Sequence, residues 1–360
     1  MSREPIRRLV AKNYGCLKDV SIELTPLHAF IGPNDSGKST ILRAVRTLLQ
    51  LASGTFQLVD NAWREPFTPY ITSVAGLDLA VSFADETGYR IRSHAASPLY
   101  SVIENGFGPR CGNNRNFQRE LATPSSIHEL TAMNQLGQLL AGSRLLRLDP
   151  DVLKEPSSLI PEGRSPSLLS ERGQGLAGVY DAIMNRDVES FLAIQKKFIE
   201  LFPTMKKLGL RNVTDRTKAL QIELEDGTRV PAEQMSEGML LYLAFAALPS
   251  IDPVAVLLVE EPENGLHPAR IADVMRILRE ISKETQVLIA THSPLVVNEL
   301  EPEEVSVVTR KPGEGTRVTP IKDTPDFAER SRVYALGELW VSYADGTYEE
   351  PLFTAPRVGG

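Results

Sequence analysis

A glycine-rich segment between two apolar segments constrains this chain more than any other feature. Residues 32–39 read Gly-Pro-Asn-Asp-Ser-Gly-Lys-Ser and match the pattern G-x-x-x-x-G-K-[ST]. A loop of this kind turns its backbone N–H groups inward and holds phosphate groups at the start of a helix. The apolar residues 27–31 predict a strand before the loop, and the apolar face of residues 38–51 predicts a helix after it. The segment therefore predicts a strand–loop–helix unit that binds phosphate.

The loop also predicts which ligands it binds. Lys38 is expected to reach the β- and γ-phosphates, in binding and in catalysis, and the Ser39 hydroxyl is expected to coordinate Mg²⁺. The chain contains no N-K-x-D sequence for reading guanine, so ATP is favoured over GTP. A chance match to the pattern is the alternative, and it is expected in about one such chain in a hundred. The residues expected to bind ATP are Gly32, Pro33, Asn34, Asp35, Ser36, Gly37, Lys38, Ser39 and Thr40.

A pair of adjacent acids follows an apolar strand in the second half of the chain. Residues 254–259 are all apolar, and Glu260 and Glu261 come directly after them. Ligands of open parallel sheets bind at the carboxyl ends of the strands. We expect Glu260 to hold Mg²⁺ through water, together with Ser39, and Glu261 to polarise the attacking water as a catalytic residue. A solvated pair of surface acids is the alternative, which the upstream phosphate loop disfavours.

A histidine follows another apolar strand in the same way. Residues 287–290 predict the strand, and His292 comes just after it in the sequence Ala-Thr-His-Ser-Pro. Glu261 and His292 are 31 residues apart, the length of one helix and one strand. The spacing predicts that His292 lies at the end of the neighbouring strand, where it faces the γ-phosphate as a catalytic residue. A structural histidine is the alternative.

Length and composition limit what such a site can serve. The chain has 360 residues, enough for about two lobes, or for one domain with a large insertion. Its longest apolar run, residues 239–248, has ten residues, whereas a membrane span needs about 20, so no membrane insertion is expected. Cys16 and Cys111 cannot form a disulfide framework, and the start of the chain lacks a secretory signal, which together favour a cytoplasmic protein.

In this order, the motifs resemble those of the ABC-type ATPase heads, within the branch that contains RecF, the SMC proteins and the OLD-like (overcoming lysogenization defect) ATPases. The matching segments are the phosphate loop, the signature-like residues 235–239, the strand and acid pair 254–261, and the residues 291–293. The sequence of residues 260–268 is similar to that of the OLD-like and predicted-AAA (AbiEii-type) branch.

The resemblance implies an α/β fold with a P-loop NTPase core of the ABC-ATPase type. Such a core has N-terminal antiparallel strands and a mainly parallel sheet, and here it would carry an inserted, mostly helical lobe. Helical patterns near residues 126–141, 174–187 and 187–202 predict the helices of that lobe. The expected divisions are the N-terminal part of the core at 1–95, the lobe at 96–215, the C-terminal part of the core at 216–325 and a C-terminal extension at 326–360.

The resemblance also implies a partner, a second copy of the chain. Ser236, Glu237 and Gly238 stand at the start of a predicted helix, 238–248, whose N-terminus presents free N–H groups and a positive dipole end. In the family these groups face the ATP held by the other subunit. The resemblance therefore implies a head-to-tail homodimer that closes on ATP and reopens on hydrolysis. The alternative is that Ser236 only caps a core helix.

Three departures from the family pattern bear on these expectations. The first metal acid is Glu260, where most ABC heads have Asp. The phosphate-loop lysine and the signature serine are 198 residues apart, about twice the separation in transporter subunits. The glutamine loop is not placed, with Gln57 and Gln118 as candidates, and Tyr14 either stacks on adenine or belongs to the core.

The sequence gives less direct evidence on the partner or process that the ATPase would control. A basic stretch that includes Lys206, Lys207 and Arg211 is a candidate contact for DNA or RNA, and a solvated charged face is the alternative. OLD-like proteins carry a C-terminal nuclease domain, and only about 50 residues follow Val308 where a domain needs on the order of a hundred. We therefore expect a separate effector chain, nuclease-like or toxin-like, in phage defence or repair. A transporter subunit and a nucleotide-gated scaffold with negligible turnover are the alternative functions.

Overall fold

The computed structural model describes residues 5–52, 78–83, 88–93, 100–105, 142–311, 313–325, 327–332 and 334–339. In chain order the strands are β1 (Arg8–Tyr14), β2 (Leu17–Glu23), β3 (Leu27–Ile31), β4 (Asp78–Ser82), β5 (Gly88–Ser93), β6 (Tyr100–Asn105), β7 (Ser143–Leu146), β8 (Ser157–Ser158), β9 (Met205–Asn212), β10 (Thr217–Leu224), β11 (Arg229–Pro231), β12 (Val256–Glu260), β13 (Gln286–Thr291), β14 (Val305–Lys311) and β15 (Gly315–Pro320). The helices are α1 (Lys38–Ala52), α2 (Pro150–Leu153), α3 (Leu176–Arg186), α4 (Val188–Leu201), α5 (Glu237–Ala247), α6 (Pro268–Ile281), α7 (Pro294–Val297) and α8 (Phe327–Arg330).

The chain divides into two compact units, and the division differs from the one expected from the sequence. The first unit comprises Met1–Arg144, Val254–Leu258 and Ser282–Gly360, and the second comprises Leu145–Pro253 and Val259–Ile281. The second unit therefore begins later than the expected lobe at 96–215 and also includes the signature and the acid pair. The described part of that lobe is mixed, because strands β7, β8 and β9 accompany the helices α3 and α4.

An antiparallel sheet in the first unit contains the N-terminal hairpin. Its strands lie in the order β2-β1-β4-β5-β6. The turn between β1 and β2 uses left-handed backbone at Asn13 and Gly15, with φ angles of 56° and 59°, a conformation that these two residue types tolerate best. Buried and exposed residues alternate along β2, as in a strand with one solvated face. The sequence predicts one hairpin from residues 6–12 and 19–24 and another from residues 77–84 and 89–94. The antiparallel pairs β1–β2 and β4–β5 confirm both predictions.

The six-stranded sheet of the first unit positions the phosphate loop. Its order is β15-β14-β3-β13-β12-β7, and β3 runs parallel to both β13 and β14. All five residues of β3 are buried, which is why this strand is a continuous apolar run rather than an alternating one. Helix α1 follows the loop, and the apolar face predicted for it is buried in full.

A buried histidine lies inside this strand. The Thr25 hydroxyl donates to the Leu27 carbonyl, so at 3.1 Å from His28 Nδ1 its oxygen accepts and Nδ1 carries the ring proton. The other ring nitrogen, Nε2, lies 3.0 Å from Ser306 Oγ and accepts from that hydroxyl. Burial lowers the pKa of His28 to about 3, because a charged ring in the apolar interior would lose its hydration. His28 is therefore a neutral structural residue at neutral pH.

The second unit is built around helix α5 and a small antiparallel sheet. Helix α5 is apolar on every side and is buried from Leu240 to Ala247, as expected of a core helix. The Tyr180 hydroxyl of α3 donates to the Leu243 carbonyl of α5 at 2.8 Å, and burial raises the Tyr180 pKa well above its usual range. The sheet has the order β11-β10-β8, and β9 also pairs with β10.

Most of the predicted elements occur, and a few differ. The sequence predicts a helix over residues 293–300, but α7 ends at Val297. The amides of Glu299 and Leu300 then bond to carbonyls three residues back. Strands β6, β7, β8, β9 and β15 were not predicted. The helix predicted at 126–141 and the glutamine-loop candidates Gln57 and Gln118 lie outside the described residues. Among the helices that the structure describes, none has the length and apolar character needed to cross a bilayer.

The buried histidine predicts a specific pH dependence of stability. The unfolded chain binds a proton at His28 below pH 6.5, whereas the folded chain does so only near pH 3. Folding stability contributed by the neutral ring is therefore present above pH 6.5 and lost as the pH falls, by about 1.4 kcal/mol per pH unit. We expect His28→Gln to reduce the difference in unfolding free energy between about pH 7 and about pH 5, measured by urea denaturation. The exposed His267→Gln is the control, and equal slopes in both variants would contradict the assignment.

Candidate functional site

The phosphate loop in the first unit has two residues with left-handed backbone. Asp35 has φ 64° and Gly37 has φ 110°. A side chain at position 37 would be strained at this angle, and its Cβ would lie 2.5 Å from Thr316 Oγ1 and 2.8 Å from Cys16 Sγ. Glycine is therefore required at position 37 for two independent reasons. Helix α1 begins at once, with the Ile41 amide donating to the Gly37 carbonyl at 3.0 Å.

The loop lysine is held against the backbone of its own loop. Lys38 Nζ donates to the carbonyl oxygens of Gly32 and Pro33, both at 2.8 Å, and the residue is only 7% exposed. A buried ammonium is stable only when acceptors surround it. These hydrogen bonds hold a positive charge at the N-terminus of helix α1, where the backbone N–H groups also favour an anion.

A second polar group of the loop, the Ser36 hydroxyl, is buried without a hydrogen-bond partner among the described residues. Ser36 is 2% exposed, and within the described residues its Oγ has no hydrogen-bond partner. A hydroxyl in this state loses its hydration without compensation. A ligand with phosphate oxygens would satisfy it, so the polar groups of the loop fit a nucleotide.

The loop is braced from outside by strands β14 and β15, which no sequence motif indicated. A Cβ at Gly32 would lie 2.2 Å from the Val308 carbonyl oxygen, so the loop passes directly over β14. Thr316 Oγ1 donates to the Ser36 carbonyl at 2.8 Å. Arg310 Nη1 donates to Asp35 Oδ1 at 2.9 Å. These contacts join residues about 280 positions apart, which explains why sequence patterns did not reveal them.

His292 also belongs to the first unit and lies at the expected strand end. Strand β13 pairs with β3, and Thr291 is in register with Ile31, the residue just before the phosphate loop. His292 follows as an exposed residue. The Ser293 amide donates to Thr291 Oγ1 at 2.9 Å, which turns the chain immediately after the strand and into α7.

The second unit carries the acid pair in two different environments. Glu260 ends β12 and is 7% exposed, and within the described residues its Oε1 has no hydrogen-bond partner. Its Oε2 lies 3.9 Å from Arg147 Nε. Glu261 has a left-handed backbone, with φ 49°, and its carboxylate accepts from Asn264 Nδ2. The two acids therefore have different surroundings, although they are adjacent in the chain.

The donor set at Glu260 fits magnesium. Mg²⁺ is commonly bound by one or two protein oxygens together with water and substrate phosphates, rather than by a cage of side chains. A buried carboxylate oxygen that nothing else satisfies is a suitable ligand of this kind. Across the part of the chain that the structure describes, no group of three or more His, Cys, Asp or Glu side chains could hold a metal by itself.

The signature residues lie beside the turn that follows the acid pair, within the same unit. Ser236 caps α5, its Oγ accepting from the Met239 amide at 3.4 Å. A Cβ at Gly238 would lie 3.3 Å from the Gly265 carbonyl, and one at Gly265 would lie 2.7 Å from Leu241 Cδ1. The two glycines therefore let α5 and the acid-pair turn approach closely. Ser236 and Glu237 remain exposed at the start of the helix.

Tyr14, for which the sequence left open either stacking on adenine or a place in the core, belongs to the core. Its side chain is fully buried, and its hydroxyl lies 3.0 Å from Thr47 Oγ1 of helix α1. Of the two alternatives, the place in the core is therefore the observed one.

The basic stretch is largely neutralised by acids. Lys206 lies 3.3 Å from Glu223, and Arg211 lies 2.6 Å from Glu233, so two of the three candidate nucleic-acid contacts face carboxylates. Lys206 and Lys207 are exposed on β9. This pattern favours the solvated charged face over a phosphate-binding surface, because paired cations release fewer counterions on binding a polyanion.

Comparison with known proteins places the chain in a family. Residues 27–298 match the family described as "AAA domain, putative AbiEii toxin, Type IV TA system". The chain belongs to this family. The match extends from strand β3, through the phosphate loop, the signature and the acid pair, to helix α7. It therefore contains the loop, the signature, the acid pair and His292, whereas Arg310 and Thr316, which contact the loop, lie beyond it.

Individual relatives agree with this placement. The chain is 25% identical over 329 residues to an OLD nuclease of Thermus scotoductus, covering 81% of this chain but 59% of that protein. In fold it is similar to an SMC head bound to the C-winged helix domain of ScpA, with a TM-score of 0.56, 19% identity, and 88% and 97% of the two chains covered. It is also similar to a Pyrococcus furiosus SMC head with an extended coiled coil, with a TM-score of 0.54, 17% identity, and 91% and 99% covered. The chain is thus an ABC-type ATPase head of the RecF/SMC/OLD-like branch.

The contacts of the loop lysine predict a loss of ATP binding in Lys38→Ala. The variant removes a cation held at the start of α1, and a hydrogen bond to a charged partner contributes enough that affinity should fall by about tenfold to a hundredfold. Isothermal titration with ATP measures this effect. The exposed Lys12→Ala, on β1, is the matched control and should bind as the unmodified chain does. Unchanged affinity in a folded Lys38→Ala variant would remove the phosphate-loop assignment.

Proposed function

We propose that the chain binds and hydrolyses ATP with Mg²⁺, and that it works as a molecular switch. The observation that carries this proposal is the phosphate loop, with Lys38 retained at the start of α1 and a buried Ser36 hydroxyl that a phosphate would satisfy. Residues 32–40 would hold the nucleotide phosphates. Ser39 and Glu260 would hold the metal ion, which supplies charge neutralisation at the phosphates when it is bound.

Glu261 and His292 have the catalytic roles in this proposal. Glu261 would orient and polarise the attacking water, and its carboxylate is held in one orientation by Asn264. His292 would contact the γ-phosphate from the end of the strand beside β3, and its exposed side chain supports that role. Lys38 would neutralise charge that develops on the phosphoryl group during transfer.

The switch would be a homodimer arranged head to tail. Ser236, Glu237 and Gly238 would face the ATP of the second copy, which makes each site a composite of two chains. The support for this arrangement is that the N-terminus of α5 is exposed rather than packed within the unit. Its free N–H groups and helix dipole favour an anion such as a γ-phosphate.

The output of the switch would pass to a separate effector in the cytoplasm. The family description names a toxin and a toxin–antitoxin system, and the curated relative is a nuclease of which this chain spans 59%. An effector of nuclease-like or toxin-like chemistry is therefore the partner class that fits best. Direct binding of DNA or RNA by Lys206, Lys207 and Arg211 is not favoured, since Glu223 and Glu233 neutralise two of these cations.

Glu261→Gln separates ATP binding from hydrolysis. Glutamine keeps the shape of the side chain but loses the negative charge that activates water, and loss of one such electrostatic element lowers the rate by about 10²–10³. ATP binding should be retained, so the closed dimer should accumulate when ATP is added. Phosphate release and light scattering measure the two effects, with the exposed Glu189→Gln as the control. Unimpaired phosphate release by Glu261→Gln would remove this residue from the mechanism, and absence of turnover in the unmodified chain would favour the scaffold function.

Mixing two inactive variants tests whether the site is shared. Ser236→Arg places a bulky cation where the partner's γ-phosphate would bind, whereas Lys38→Ala removes the phosphate-loop cation. In a mixed dimer, one composite site takes its phosphate loop and acids from the Ser236→Arg chain and its signature from the Lys38→Ala chain. We therefore expect partial recovery of ATP hydrolysis on mixing. If folded, exchanging subunits recover no activity, a site within one chain replaces the dimer.

A further inference from the structure

Thr316 donates a side-chain hydrogen bond to a backbone carbonyl of the phosphate loop. Among the described residues, the side chains of Lys38 and Arg310 also donate to carbonyls of this loop. Thr316 lies on β15 and is 6% exposed. Its Oγ1 donates to the Ser36 carbonyl at 2.8 Å, and its own amide donates to the Cys16 carbonyl at 2.9 Å. The strand therefore fixes the main chain of Thr316, and the side chain in turn fixes one peptide of the loop.

The hydrogen bond from Thr316 also orients the N–H group of the same peptide, which joins Ser36 to Gly37. A trans peptide is planar, so its carbonyl and its N–H point in opposite directions. All described peptide bonds are trans. The bond from Thr316 to the Ser36 oxygen therefore sets the direction of the Gly37 N–H, which points away from β15. Loops of this type bind phosphate with backbone N–H groups of this kind.

The backbone on the other side of this peptide needs such support. Gly37 has φ 110°, and glycine populates many other conformations when nothing restrains it. Cys16 Sγ would lie 2.8 Å, and Thr316 Oγ1 2.5 Å, from a Cβ at this position. The β1–β2 turn and β15 therefore pack against the glycine closely. Of the two, only β15 adds a hydrogen bond to the loop carbonyl.

We propose that Thr316 is a positioning residue for ATP, which orients the Gly37 N–H for phosphate binding without touching the nucleotide. The inference rests on the proposed function and adds a residue from the C-terminal hairpin of β14 and β15 to the site. Arg310 has a different role. Its ion pair with Asp35 joins side chains that are 41% and 89% exposed, and exposed pairs contribute little.

The test compares three substitutions in the full chain by calorimetry with ATP and by steady-state hydrolysis. Thr316→Val keeps the shape but removes the donor, and one hydrogen bond is enough to weaken ATP binding by about three- to tenfold. KM should rise by the same factor while kcat stays within about twofold, since the effect lies in phosphate binding. Thr316→Ser keeps the donor and should bind within about twofold of the unmodified chain.

The matched control is Thr319→Val, the same change on the same strand at a half-buried threonine that pairs with Val307 of β14. It should leave ATP affinity unchanged. Thermal unfolding without nucleotide checks that each variant folds, and Thr316→Cys, whose thiol is a weak donor, replaces Thr316→Val if the latter does not fold.

Three results would overturn the proposal: unchanged affinity in the donor-free variant, equal weakening in Thr316→Ser, or equal weakening in Thr319→Val. Failure of the proposed function looks different, because the unmodified chain would then bind ATP no better than Lys38→Ala. If the unmodified chain and Thr316→Val bind ATP equally well while Lys38→Ala does not, the proposed function stands and only the role of Thr316 is overturned.

Discussion

The site depends on a backbone conformation that the phosphate loop would not keep by itself. Asp35 and Gly37 both have positive φ, and a residue in such a region persists only when its surroundings determine it. Here the surroundings are strands. The loop leaves the buried β3, passes over the Val308 carbonyl of β14 and accepts a hydrogen bond from Thr316 of β15. Strand β3 therefore leads into the loop, and the strands β14 and β15 of the same sheet stabilise the conformation of the loop.

Buried polar groups are the second consequence of building such a site. Ser36 Oγ in the first unit and Glu260 Oε1 in the second are each buried with no hydrogen-bond partner among the described residues. Groups in this state lower the stability of the folded chain unless a ligand satisfies them. His28 shows the contrast, since its buried ring is satisfied at both nitrogens by Thr25 and Ser306. The buried histidine is therefore satisfied within the fold, whereas Ser36 Oγ and Glu260 Oε1 are not satisfied within the described part of the chain.

Sequence patterns predicted the elements whose signals are local. The apolar run of β3, the amphipathic face of α1 and the apolar strand before Glu260 all appear where expected. Strand β9 was missed because its buried residues Met205 and Leu208 are three positions apart, which is not the alternation typical of a strand. Its pairing with β10, which contains a register shift between Glu223 and Leu224, is what makes it a strand. The expected lobe boundaries differ from the compact units because β7 and β12 carry the chain from one unit into the other.

By itself the sequence identified the motifs of the proposed site, namely the loop, the acid pair, the signature and the histidine, and their order agrees with the family that the chain matches. These motifs are short, and each acts through residues adjacent in the chain, so local rules suffice to recognise them. Only the tertiary structure decided that Tyr14 belongs to the core, that acids neutralise much of the basic stretch, and that Thr316 holds the phosphate loop. Those outcomes are set by contacts between distant residues, since pairing and burial depend on which strands become neighbours.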